Sequence, residues 1–229
     1  MPAAVLFWGS DPEGIGTNVA QGFAKRCPGT SIFNDLEIVM SPNINDVQRA
    51  WFEGAGSETM TELGFVPGQR VIDFGCGPGR YTVPLSRIVG PEGGRVFAVD
   101  RSQENLEQLA RRLAAHGEVS AVETVHAEGP GGIDAAAGEP VDAVLAFDVL
   151  QHVDDWDGFF EAVHRALKPD GSLYVYPAAT PHPGRVDMDA VREAVGRHGF
   201  TETSRRTVHM PHANEMVEDV VYVFERGSA

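Results

Sequence analysis

Short apolar runs alternate with stretches of helical periodicity from about residue 70 onward. Runs rich in valine and phenylalanine, bounded by glycine, proline or aspartate, predict strands. Leu106, Leu109, Ala110 and Leu113 recur at the spacing of one helix face, and Ser102 is placed to cap that helix. The pattern predicts strands at 71–74, 96–99, 122–126, 141–147, 173–176, 201–208 and 217–224, and helices at 48–63, 84–89, 106–113, 156–167 and 188–195.

Alternation of strands and helices predicts an α/β fold, a three-layer sandwich whose mostly parallel sheet is covered by helices on both faces. No helix separates the last two predicted strands, so we expect them to pair antiparallel at one edge. Residues 1–64 do not follow the alternation and are predicted as a lid or cap segment before a domain at 65–229. Residues 1–40 suit a lid, a small subdomain or an arm that docks on a partner chain, and these alternatives stay open.

A glycine-rich turn follows the first strand of the alternation. Its glycines are spaced G-x-G-x-G, and Arg80 stands where a third glycine of the dinucleotide pattern G-x-G-x-x-G would be. Asp73 precedes the turn, and Asp100 closes the next strand, where an acid can accept the hydroxyls of a ribose. A carboxylate beside the turn suits a cation better than a pyrophosphate. The turn therefore favours a nucleoside ligand that carries positive charge.

These residues resemble the motifs of a known family. The segments are 73–79 (DFGCGPG), 96–102 (VFAVDRS), 142–153 (DAVLAFDVLQHV) and 166–173 (ALKPDGSL). In this order and spacing they resemble the class I S-adenosylmethionine-dependent methyltransferases, nearest the branch of ubiquinone and menaquinone C-methyltransferases and other small-molecule enzymes. The resemblance covers about residues 60–225. It implies a Rossmann-like sheet of seven strands with the last antiparallel, and S-adenosylmethionine as the cofactor.

The resemblance also assigns roles to single residues. It implies that Asp73 and the loop from Gly75 to Gly79 hold the methionine part of the cofactor, and that Asp100 binds the ribose. It places Ala127 and Glu128 near the adenine, where His126 stands in place of a common aspartate. The cofactor-binding residues that it implies are Asp73, Gly75, Cys76, Gly77, Gly79, Asp100, Arg101, Ser102, Ala127, Glu128, Asp148 and Val149.

Methyl transfer needs a base only where the acceptor must lose a proton. His152, after the fourth strand, and His182, after the fifth, are the candidate catalytic residues. For His152 the alternative is a packing or hydrogen-bonding role. His209 and His212 have a His-x-x-His spacing, but Pro211 prevents a regular helical pair, so we predict no metal site.

The composition of the chain indicates which classes of partner are favoured. The chain has 18 Lys and Arg against 33 Asp and Glu, a net charge of −15, which disfavours nucleic acid and anionic membranes. Two cysteines and no recognisable secretion signal favour the cytoplasm. We expect a small-molecule acceptor, with the apolar residues of the N-terminal segment suited to a lid or a homodimer contact. Alternatives are a protein methyltransferase, a non-catalytic cofactor-binding subunit, and, on weaker grounds, a nicotinamide-dependent oxidoreductase.

Overall fold

The computed structural model describes residues 44–117, 119–177, 185–212 and 215–227. In these ranges seven strands form one sheet. The strands are β1 (Arg70–Phe74), β2 (Arg95–Asp100), β3 (Val122–His126), β4 (Val141–Phe147), β5 (Leu167–Tyr176), β6 (Phe200–His212) and β7 (Glu215–Arg226). Their order across the sheet is β3-β2-β1-β4-β5-β7-β6.

The sheet is parallel except at β7. Strands β1 to β5 pair in parallel, whereas β7 runs antiparallel to both β5 and β6. This confirms the predicted mostly parallel, seven-stranded sheet and the antiparallel pairing of its last two strands. The chain order reverses at β1, which lies between β2 and β4, and ligands of such sheets bind at the carboxyl ends of the strands beside that reversal.

Helices cover both faces of the sheet. They are α1 (Ile44–Ala50), α2 (Gly56–Glu62), α3 (Thr82–Val89), α4 (Gln103–His116), α5 (Gly131–Ala136), α6 (Trp156–Ala166) and α7 (Met188–Arg197). Side chains alternate across β1: Ile72 packs in the core beneath α5, α6 and α7, and Val71 in the core beneath α2 and α3. Asp73 follows the period of Val71 and therefore lies on the α3 face.

One turn of π-helix, Trp51–Ala55, joins α1 to α2. Gly56 allows this turn to lie close to α3, because a Cβ there would come within 2.9 Å of Pro84 Cβ. The indole of Trp51 is buried and donates a hydrogen bond to Arg80 O over 2.7 Å. The described part of the N-terminal segment is thus fastened to the glycine-rich turn.

Residues 40–229 form one compact unit that includes α1 and α2. The division predicted between residues 64 and 65 stays a prediction. The lid, arm or dimer contact predicted for residues 1–40 falls outside the described residues.

Some elements differ from the sequence-based prediction. Helix α5 was not predicted. Strand β5 begins at Leu167, the last residue of the predicted helix, rather than at Leu173, and β6 extends to His212. His209 and Pro211 therefore lie in the edge strand, opposite Glu218 and Met216. Within the described ranges, no helix is long and apolar enough to cross a membrane.

Candidate active site

The glycine-rich turn leaves β1 at the reversal point of the sheet. Gly75 N and Cys76 N both donate to Val99 O, over 2.8 and 3.0 Å, so the turn folds back over the end of β2. Gly77 has φ +53°, and a Cβ built on it meets nothing within 4 Å. Gly77 therefore presents bare backbone to open space, which lets a ligand approach closely.

Asp100, the last residue of β2, fixes this turn in place. Its Oδ2 accepts a hydrogen bond from Gly77 N over 2.7 Å, and its Oδ1 accepts from Ser102 N and Asn105 Nδ2 over 2.8 and 3.2 Å. A carboxylate has about four acceptor directions. Three donors already point at Asp100, so about one direction, on Oδ2, remains for a ligand hydroxyl.

A cavity of about 710 Å³ opens at the carboxyl ends of β1, β2, β3 and β4. It gathers ten of the predicted site residues, namely Gly75, Gly77, Asp100, Arg101, Ser102, Ala127, Glu128, Asp148, Val149 and His152. His152 is exposed and lines this cavity. Parallel strands end at the same edge of the sheet, which is why residues far apart in the chain meet here.

Carboxylates dominate the charge of this cavity. Five acidic side chains line it, and Arg101 is the one arginine or lysine among the described lining residues. The acids are Asp100, Glu128, Asp148, Asp154 and Asp155. Such a lining attracts a cation and repels a phosphate.

Asp73 is not part of the cavity wall. Its side chain is buried and accepts a hydrogen bond from Thr82 Oγ1 over 2.6 Å, which ties β1 to α3. Burial, opposed by this hydrogen bond and reinforced by the charge of Asp100, raises the pKa of Asp73 to about 6. Asp73 therefore does not contact a ligand in the larger cavity, contrary to the role that the resemblance implies.

Three further predicted residues lie elsewhere. Gly79, with φ +86°, faces Leu109, and a Cβ there would come within 2.3 Å of Leu109 Cδ1, so this glycine serves the packing of α4. Cys76 is buried and borders a second, smaller cavity. His182 falls outside the described residues.

Asp148 stands where β4 ends, on the boundary between the two cavities. Its φ of +53° is uncommon for a residue other than glycine and places its side chain beside the glycine-rich turn. Strained backbone of this kind costs about 1–3 kcal/mol and is concentrated at functional sites. Tyr81 Oη donates to Asp148 Oδ2 over 2.7 Å.

Sequence reasoning missed several residues of the site. Asn105 binds Asp100 and lines the larger cavity, Tyr81 binds Asp148, and Arg112 lines the smaller cavity. Asn105 lies three residues after the helix cap Ser102, so its position in the first turn of α4 was a usable signal. No local pattern distinguishes Tyr81 or Arg112 from packing and surface residues.

The residues present fit a positively charged nucleoside. Bare backbone at Gly77 and an acceptor direction left on Asp100 suit a ribose, and the acidic lining suits a sulfonium. A Cβ at Gly129, another glycine that lines the cavity, also meets nothing within 4 Å. The cavity is within the range of volumes typical of cofactor sites.

Comparison with known proteins agrees with this geometry. Residues 72–175 match the family described as "Methyltransferase domain". The crystal structure of a SAM dependent methyltransferase from Aquifex aeolicus superimposes with a TM-score of 0.59 over 80% of this chain and 98% of that one. The two sequences are 21% identical, so this likeness concerns the fold.

Two curated relatives differ in how much of the chain they match. Carboxy-S-adenosyl-L-methionine synthase of Methylococcus capsulatus is 26% identical over 220 residues, which are 94% of this chain and 81% of the synthase. Ubiquinone biosynthesis O-methyltransferase of Methylocella silvestris is 38% identical over 109 residues. That match spans 47% of this chain and 39% of the methyltransferase, so the likeness concerns part of each protein.

Proposed function

We propose that this chain, whose residues 72–175 match a methyltransferase domain, transfers a methyl group from S-adenosylmethionine to a small organic acceptor. One observation carries the proposal. Asp100 joins Gly77, Ser102 and Asn105 at the floor of a cavity lined by five carboxylates. This is an arrangement for a cationic nucleoside without phosphates.

The chain's own residues bind and orient the cofactor and balance its positive charge. Asp100 accepts a ribose hydroxyl through its remaining acceptor direction, and Gly77 allows close approach of the backbone. The acids at the rim, Asp148 among them, favour a positive charge near the end of β4. When bound, S-adenosylmethionine supplies a methyl group on positively charged sulfur that a nucleophile displaces in line. Positioning of the two reactants can account for roughly 7–11 kcal/mol of the barrier.

His152 is the proposed proton acceptor for substrates that must lose a proton. It is exposed and lines the cavity beyond Asp148, so a water molecule or an acceptor hydroxyl can reach it. His182 keeps the same proposed role from the sequence, on a segment outside the described residues.

A second candidate is a reaction that modifies S-adenosylmethionine itself. The relative that matches 94% of this chain is named a carboxy-S-adenosyl-L-methionine synthase, whereas the O-methyltransferase matches 47%. Mass spectrometry of the nucleoside product separates the two. Methyl transfer yields S-adenosylhomocysteine. Carboxylation, in which a carboxylic acid co-substrate gives up its carboxyl group to the methyl carbon and takes the methyl proton, yields a heavier cofactor.

Partners and location belong to the proposal as well. The net charge of −15 supports a small-molecule acceptor over nucleic acid or an anionic membrane, and two cysteines support a cytoplasmic setting. A homodimer through residues 1–64 remains a proposal.

Incubating a lysate with methyl-labelled cofactor, then separating macromolecules from metabolites, tests a small acceptor against a protein one. If purified chain binds the cofactor but labels neither fraction, a non-catalytic subunit is favoured.

The cofactor site is tested by Asp100→Asn, with calorimetry of S-adenosylhomocysteine binding as the measurement. Loss of charge-assisted hydrogen bonds should weaken binding by about 10- to 100-fold. Asp170→Asn is the control. Asp170 is exposed near the start of β5, and the cavity lies at the other end of the parallel strands. Unchanged affinity in Asp100→Asn would refute the site, and tight binding of NAD by the wild type would favour an oxidoreductase.

A further inference from the structure

The smaller cavity lies on the other side of the glycine-rich turn. It has a volume of about 290 Å³ and shares Gly75, Gly77 and Asp148 with the larger one. Its outer wall comes from the π-turn and from Pro211 of β6. Among the described residues, the turn and Asp148 would therefore separate a ligand here from a nucleoside in the larger cavity.

Two arginines line this smaller cavity. Arg112 Nη1 donates to Pro78 O over 2.7 Å, and Arg80 Nη1 donates to Pro211 O over 3.3 Å. Neither forms an ion pair with a carboxylate of the described residues. A guanidinium has five N–H donors, so most of the donors on both side chains remain available. Backbone carbonyls orient these cations without neutralising them.

The environment of the two arginines favours an anion. Burial, and next the positive charge of Arg80, lower the pKa of Arg112. Arg112 is held over the ring of Phe52, 4.6 Å from its centroid, so its orientation is constrained. A bound anion would relieve the repulsion between the guanidiniums and accept their unused donors.

The two cavities differ in charge. Among the residues that the structure describes, five carboxylates line the larger one, whereas two arginines and one carboxylate, that of Asp148, line the smaller. Asp148 accepts the hydrogen bond of Tyr81 and lies at the shared boundary. The smaller cavity is therefore a local concentration of positive charge in a chain whose net charge is −15. The cationic and anionic ligands would therefore be sorted to opposite sides of the turn.

Aromatic side chains form the rest of the wall. Trp51, Phe52, Tyr81 and Phe147 line the smaller cavity, and Tyr81 makes edge-to-face contacts with Trp51 and Phe147 at centroid distances of 6.1 and 5.1 Å. Trp51, Tyr81 and Phe147 are almost fully buried, so they back the cavity with apolar surface rather than offer an open ring face. The volume of about 290 Å³ is at the lower end for small-molecule sites, enough for one ring and its substituents.

We propose that the smaller cavity binds the methyl acceptor, and that this acceptor is a small carboxylate with an apolar body whose anionic group lies between Arg80 and Arg112. The inference rests on the proposed function and specifies its substrate class. The apolar body of the acceptor lies on the side of Phe52, and its nucleophilic substituent faces Asp148 and the larger cavity. The carboxylate of methionine in the cofactor is the other carboxylate within reach of this site, and the experiment separates the two sources.

The test uses the full-length chain saturated with S-adenosylhomocysteine, with calorimetry as the readout. Benzoate and phenylacetate are the anionic probes, and benzamide and phenylacetamide are their neutral counterparts. We expect both acids to bind at least about tenfold more tightly than their amides. Arg112→Gln and Arg80→Gln should each remove this preference, whereas Arg111→Gln should retain it. Arg111 is the matched control, because it is exposed on the same helix and does not line the cavity.

A second measurement identifies the source of the carboxylate. S-adenosylhomocysteine carries the methionine carboxylate and 5′-methylthioadenosine lacks it. Under the proposal, Arg112→Gln and Arg80→Gln change the affinity for either nucleoside by less than about threefold. If the variants weaken S-adenosylhomocysteine more than tenfold and spare 5′-methylthioadenosine, the arginines hold the cofactor, and the acceptor proposal is wrong.

The remaining outcomes are also decisive. Equal binding of acids and amides by the wild type would overturn the proposal while leaving the cofactor site intact. Absence of S-adenosylhomocysteine binding by the wild type would instead overturn the proposed function. Circular dichroism of each variant, and agreement between Arg80→Gln and Arg112→Gln, guard against a folding defect in one of them.

Discussion

Tyr81 Oη donates a hydrogen bond to Asp148 Oδ2 over 2.7 Å, joining the start of α3 to the end of β4. Asp148 is held a second time through its backbone, since its N–H donates to Tyr176 O over 3.0 Å. Burial and the charge of Asp148 hold the pKa of Tyr81 well above its ordinary value, so the hydroxyl stays a donor at neutral pH. A carboxylate shared by two cavities is thereby kept in one orientation.

Tyr81→Phe should lower the free energy of unfolding by about 1–2 kcal/mol, because the partly buried Asp148 loses a charge-assisted donor. Urea denaturation measures the change. Tyr174→Phe is the control, since the hydroxyl of Tyr174 has no hydrogen bond within the described residues and its removal should change stability by less than about 0.5 kcal/mol. Equal losses in the two variants would contradict a specific role for the Tyr81 bond.

Gly77 and Gly79 should respond differently to alanine, although both have positive φ. Gly79→Ala places a methyl group against Leu109 and should cost roughly 2–4 kcal/mol of stability. Gly77→Ala places it in open space, so the loss should be near 1 kcal/mol. Binding of S-adenosylhomocysteine should nevertheless fall at least about tenfold in Gly77→Ala, because the methyl group occupies the cavity. Unaltered affinity there would show that the ligand does not lie against Gly77.

Asp73 should make stability depend on pH. Its pKa is raised from 3.8 to about 6, so the folded state holds the proton more tightly than the unfolded state does. The corresponding stabilisation is complete below about pH 4 and is lost as pH rises through about 6. Relative to Asp73→Asn, the wild type should therefore lose roughly 1–3 kcal/mol between pH 4 and pH 7. Parallel curves for the two proteins in pH-dependent denaturation would contradict this assignment.

Cys76 should be unreactive in the folded protein. Burial, and then the charges of Asp73 and Asp100, raise the pKa of its thiol far above the ordinary value, and its side chain is 4% exposed. In a Cys27→Ser variant, Cys76 is the remaining thiol of a chain with two cysteines. Iodoacetamide at pH 8 should label it slowly, and at the normal rate after denaturation. Rapid labelling of the folded variant would instead indicate an accessible thiolate.

The sheet could be predicted because its central strands are buried on both faces and appear as short apolar runs. The bounds of α4 were also readable, since Ser102 caps it through Asn105 N and Gly117 ends it with φ +77°. Ten of the predicted site residues share one cavity because parallel strands end at a common edge. Their roles toward the cofactor stay predictions.

The smaller cavity could not be predicted, because no local pattern brings its walls together. Arg112 lies on a helix whose exposed face is rich in charge, and Pro211 lies in an edge strand. Helix α5 was missed for a related reason: two glycines at its start give it little periodicity. Tertiary packing decides both features.

The bond between Arg80 and Pro211 spans 131 residues, and a second bond, between Thr59 Oγ1 and His209 O, spans 150. Both bonds connect residues before or just after β1 to strand β6. During synthesis the glycine-rich turn and the larger cavity can form early, but the smaller cavity lacks its outer wall until β6 has left the ribosome. A nascent chain would thus form the two cavities in succession, the second only after Pro211 has been synthesised and β6 can pair.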